Sequence, residues 1–224
     1  FYNWNYMIWL KYASVLNVFE LMSSLVGFYY WGKIKNTYWK YFPIYLAIVF
    51  VTDIIGVIYL HYFKELIINI DIYRYWGIPI QFFFFFWLYY QYFKNSKISY
   101  LPFVGTGLFV ILWIVEEIWL RENKLLFGTL AYSTGCIMLL IFLLAYIKSL
   151  TKSEELIDFK KNMMLWTSLG VLLFYIGTLP FFGMRTPLFE VFPELFYTFN
   201  SIQYFLCCSM YFLFTIAFIW GQPK

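Results

Sequence analysis

Charge is what this sequence has least of. Asp, Glu, Lys and Arg make up 12% of its 224 residues, about half the share found in soluble globular domains. Sixteen basic and twelve acidic side chains are too few to solvate the surface of a soluble enzyme, a nucleic-acid-binding domain or a disordered regulator, and those classes are excluded. Histidine occurs once, at His61. A two-histidine b-type haem is therefore excluded, and a Ser-His-Asp triad would have only His61 to serve as base, so none is assembled from the sequence. HExxH, CxxC and clustered metal-ligand spacings are missing. A glycine-rich phosphate loop is missing too, which removes nucleotide hydrolysis. The cysteines, Cys136, Cys207 and Cys208, lie inside apolar runs, where they act as small hydrophobes and imply no disulfide framework. The last apolar run, Leu195 to Trp220, has no lysine and cannot form a retinal Schiff base. No cofactor is expected beyond a bound lipid.

Apolar sequence is abundant: 63% of the residues are hydrophobic and the mean hydropathy is +0.70. A spanning helix needs about 20 apolar residues, and seven stretches qualify, near 12–31, 41–62, 73–93, 100–120, 125–147, 162–183 and 195–220. Strand-type alternation is absent, which argues against a barrel. The expectation is an all-α polytopic membrane protein, a single seven-helix domain over 1–224 with no soluble domain. The first, third and fifth connections plus the C-terminus hold ten Lys, and the N-terminus with the even connections holds six Lys or Arg. The positive-inside rule then puts the N-terminus outside and the C-terminus in the cytoplasm. Phe1 to Trp9 reads as an interfacial lead-in, not a signal peptide. Residues 148–162 form the longest inner connection, and Met184 to Glu194, with Pro187 and Pro193, could fold over the helix ends as a lid.

Polar groups inside the apolar runs carry the functional expectation, because each ionisable one costs about 2.5–3.5 kcal/mol at the bilayer centre. Asn17, Glu20, Ser24 and Gly27 follow helical spacing along one face. Asp53 and Gly56 lie in the second stretch, Gln81 in the third, Glu116 and Glu117 in the fourth, Thr178 in the sixth, and Asn200, Gln203 and Cys207 in the seventh. Counted from alternating ends, Glu20, Asp53, Gln81, Glu116, Thr178 and Asn200 fall in the outer half. A polar cavity opening outward is expected, with Glu20, Asp53, Gln81, Glu116, Asn200 and Gln203 as ligand-binding residues and no catalytic residue. Lys11, His61, Lys64 and Arg74 are the available cationic partners. Ser24, Thr178 and the glycines read instead as helix-packing groups. A transporter with inverted repeats is not favoured, since Pro79 has no counterpart in the seventh stretch.

The segments FELMSSLVGFYYWGKIK from Phe19, FPIYLAIVFVTDIIG from Phe42 and WTSLGVLLFYIGTLPFF from Trp166 resemble a group of uncharacterised bacterial seven-span membrane proteins of about this length. That resemblance implies topology and no activity. A fainter similarity to lysoplasmalogenase-like multispan proteins implies lipid hydrolysis by carboxylates. Three functions follow in order of preference: a ligand-sensing or ligand-binding protein that acts through partner proteins, an accessory or structural subunit of a larger membrane complex, and a carboxylate-dependent lipid hydrolase. The partners expected are membrane lipids and other membrane proteins, not nucleic acid.

Overall fold

The computed structural model describes residues 2–120, 129–151, 160–184, 188 and 191–223, with the side chains of 14–119 in the first of these ranges. Among them the chain is all-helical, as expected. The long helices are α1 (Tyr2–Tyr29), α3 (Tyr41–Ile58), α5 (Ile78–Phe93), α6 (Leu101–Val115), α7 (Thr129–Leu150), α8 (Met163–Gly183) and α9 (Pro193–Trp220), with the short α2 (Trp31–Ile34) and α4 (Leu66–Ile72) between them.

Helix starts follow local chemistry. Pro102 and Pro193 each sit in the first two positions of a helix, where the missing N–H has no intrahelical partner to lose. Asn162 caps α8 by accepting from Leu165 N at 3.0 Å. Three π-helical segments, Tyr59–Phe63, Tyr73–Gly77 and Glu116–Leu120, extend or join these helices at one end of the bundle. The segment at Tyr73 directly precedes Pro79, and its wider turn accommodates a residue that withdraws a donor from the ladder.

Five helices are long and apolar enough to cross a membrane: Tyr38–Phe63, Leu101–Trp119, Thr129–Leu150, Met163–Gly183 and Pro193–Trp220. They coincide with five of the seven expected stretches. The other two are helical but fall short by this measure. In α1 the described apolar part is Ser14–Tyr29, shorter than the about 20 residues a span needs. The π segment Tyr73–Gly77, which contains Arg74, takes the first five residues of the third stretch, and the apolarity of the rest leans on aromatic rings, several with polar edges.

Those rings make α5 the centre of the bundle. Phe82, Phe85, Phe86 and Tyr89 are all buried. Phe84 stacks on Tyr45 of α3 at 3.9 Å, Phe85 meets Phe214 of α9 and Tyr175 of α8, and Phe82 meets Phe109 of α6 and Tyr132 of α7. Around it α1 packs on α3 and α9, α9 on α8, α8 on α7, and α7 on α6. Large aliphatic residues such as Val18, Leu25, Ile111 and Leu144 remain on the outside, as lipid-facing surfaces require.

Candidate functional site: a buried acid pair

Glu20 of α1 has no solvent exposure, and neither of its carboxyl oxygens makes a hydrogen bond of normal geometry. It interacts with Asp53 of α3 and Tyr211 of α9, with Cys208 also in its field. Asp53 in turn interacts with Tyr73, and Tyr45 and Cys207 are electrostatic neighbours of both acids. Three long helices and one π segment thus converge on two carboxyls.

The backbone explains the convergence. Gly56, one turn beyond Asp53, leaves room for the Tyr73 ring: a Cβ there would lie 2.8 Å from the Tyr73 hydroxyl and 3.1 Å from Asn69 Nδ2. Asn69 Nδ2 donates to Gly56 O at 2.8 Å, and Trp76 Nε1 donates to Thr52 Oγ1 at 3.2 Å. These bonds fix the Tyr73 segment against α3. On α1, Ser24 Oγ donates to Pro43 O at 3.2 Å, and Gly27 admits Pro43 and Phe218 to close contact. Ser23 Oγ is a further buried group without a hydrogen bond.

Among the described residues no Lys, Arg or His forms an ion pair with either acid. Arg74, only 4% exposed, pairs with Asp71 at 3.6 Å. His61 and Lys64 are exposed, and Lys64 ends its π segment in the left-handed conformation at φ 54°. The side chain of Lys11 lies outside the described residues. Of the expected cationic partners, the three that are described, His61, Lys64 and Arg74, are therefore not paired with either acid.

The other expected site residues are placed in different ways. Asn200 is buried, and Gln203 has a buried Oε1 without a hydrogen bond. Both share the α9 face that continues, at helical spacing, to Cys207 and Tyr211. Gln81 belongs to a separate set of polar ties: Tyr175 donates to its Oε1 at 3.2 Å, Tyr132 and Thr178 hydroxyls meet at 3.2 Å, and Tyr89 donates to Ser168 at 3.0 Å. Glu116 accepts from Leu130 N at 3.0 Å and from Ala131 N at 2.9 Å. Both its oxygens are thus occupied at the start of α7, where a carboxylate also suits the helix dipole. Glu117 accepts from Tyr75. Of the proposed lid, Met184, Leu188 and Val191 to Glu194 are described, and Leu188 is buried. The middle of the inner connection, 152–159, lies outside the described residues.

Tyr45, Tyr73 and Tyr211 were not selected from the sequence. Tyr211 continues the Asn200, Gln203, Cys207 spacing by one further turn, which was the signal available for it. Tyr73 had none, because it reaches Asp53 through a π turn. Among the described residues no group of three His, Cys, Asp or Glu is arranged to hold a metal ion. The chain matches no family model, no curated protein and no solved structure.

Proposed function

We propose that this chain is a seven-helix protein of the bacterial inner membrane that senses or binds a small cation at Glu20 and Asp53. The ligand class is a proton or a monovalent inorganic cation, and the signal passes to partner proteins. In this reading α1 and the continuous helix from Leu66 to Phe93 complete the seven spans, with the N-terminus outside. One observation carries the ligand class. Two carboxyls interact inside the bundle with hydroxyls and thiols around them, and no cationic side chain among the described residues pairs with either. A buried charge without a partner costs several kcal/mol, so the pair needs a proton or a bound cation to balance it. The four elements that meet there would feel its arrival directly. The connections between helices carry no soluble effector domain, so the readout requires another protein.

The test is thermal stability of the full chain in nanodiscs between pH 5 and 8, in sodium and in potassium salts. A melting temperature that changes with pH or with the cation is expected for the wild type. It should become flat in Glu20→Gln and in Asp53→Asn, which keep shape and remove charge. A flat wild-type response under all conditions would refute the proposal.

A further inference from the structure

A cleft of about 500 Å3 opens at the end of the bundle that carries the first, third and fifth connections. That volume falls in the range of small-molecule sites, about 300–1,000 Å3. Four separate parts of the chain meet in its walls: the turn before α3, the end of α5, the start of α8 and the segment after α9. Five of the lining residues carry carboxamides, and Lys94 is the one charged residue among the described lining.

The direction of the amides decides what the cleft can hold. Asn162 Oδ1 accepts from Leu165 N at 3.0 Å, and Gln91 Oε1 accepts from Lys94 Nζ at 3.4 Å. A backbone N–H and an ammonium can only donate, so the oxygen of each amide is fixed and the NH2 group is what remains. Asn162 is 7% exposed and held in place by its capping role. The Leu165 N–H is taken by the Asn162 cap, and the start of α8 adds a partial positive charge. The Thr37 hydroxyl offers nothing further, since it donates to Ile34 O and accepts from Trp39 N. The described residues of this end also include Lys33, Lys35, Lys40, Lys97 and Lys148 and no acid; the acids of this end, Glu154, Glu155 and Asp158, fall within 152–159.

We infer that this cleft binds an oxyanion of the phosphate type, through Lys94 and the amide NH2 groups of Gln91 and Asn162. The oxyanion comes from an anionic lipid headgroup or from a free phosphate-bearing molecule. The site is separate from the acid pair and stands whether or not that pair binds a cation.

The experiment uses the full chain in two arms. Inorganic phosphate is titrated calorimetrically into protein in phosphatidylcholine nanodiscs. In parallel, native mass spectrometry counts phosphatidylglycerol retained against phosphatidylcholine. Saturable phosphate binding supports the free ligand, and selective retention of phosphatidylglycerol alone supports the headgroup. Asn162→Asp keeps the helix cap, since Asp and Asn cap equally well, but turns the donor into an anion. Binding should weaken at least tenfold with an unchanged melting temperature. Gln91→Glu, which keeps the acceptor for Lys94, and Lys94→Gln should do the same and need no buried change. Absence of binding in both arms, or equal binding by wild type, Gln91→Glu and Lys94→Gln, would overturn the inference.

Discussion

At the scale of single residues, the acid pair depends on a position that has no side chain. Gly56 allows the Tyr73 ring to approach Asp53, and the atom nearest to an added Cβ is the phenol oxygen. Gly56→Ala should therefore destabilise the fold by about 1–3 kcal/mol, the usual cost of overpacking. Tyr73→Phe in the same chain should recover part of it, because it removes that oxygen. A double-mutant cycle by chemical denaturation measures this coupling, and strict additivity would show that the two residues do not meet. Glu20 and Asp53 were legible in the sequence because a carboxylate inside an apolar run is expensive and rare. Their aromatic neighbours were not: in a chain that is 27% aromatic, one more tyrosine carries no contrast. Depth in the sequence set Glu116, about four residues from its span end, nearer the interface than Glu20 at about nine, but it gave no sign that both Glu116 oxygens are engaged at the start of α7.

At the scale of elements, that difference becomes a prediction about α7. Glu116→Ala should cost about 1–2 kcal/mol, as loss of a helix cap does, and should leave the cation response of the acid pair unchanged. A loss of that response with stability intact would instead make Glu116 part of the binding site. The seam between α8 and α9 rests on another small residue. A Cβ at Gly170 would come within 2.9 Å of Phe214 and 3.2 Å of the Met210 carbonyl, and the backbone atom cannot swing away. Gly170→Ala should lower the melting temperature more than Gly107→Ala, where nothing lies within 4 Å. At the far end of α9, Lys33 Nζ donates to Phe218 O at 3.1 Å and Ile219 O at 3.3 Å, a favourable place for a cation. Partial burial nevertheless pushes its pKa below the ordinary 10.5. The unfolded chain then holds this proton more tightly than the native one, so stability rises with pH across the window between the lowered value and 10.5. Lys33→Met should lose that alkaline slope in melting curves. The long helices were legible from apolar runs and prolines, whereas the three π segments left no mark, because a change in helix pitch is set by packing and not by residue type.

At the scale of the whole molecule, the seven-span proposal adds α1 and the helix from Leu66 to Phe93 to the five helices that are long and apolar enough to cross a membrane. Composition alone undervalues the second of these. Its central residues are rings that touch α3, α6, α7, α8 and α9, so Phe82, Phe85, Phe86 and Tyr89 spend their hydrophobic area on the bundle's interior. Tyr75, Trp76 and Phe83 stay exposed on the same helix, and the seven-span proposal draws on both features. Glu65 and Asn95 flank it, and both are exposed. A membrane-impermeant thiol reagent should label Glu65→Cys from the outside of intact cells and Asn95→Cys only after the membrane is opened. The native cysteines, all within helices, are replaced by alanine in both variants. Labelling of both sites from one side would remove this helix from the spans, and labelling in the reverse order would invert the orientation.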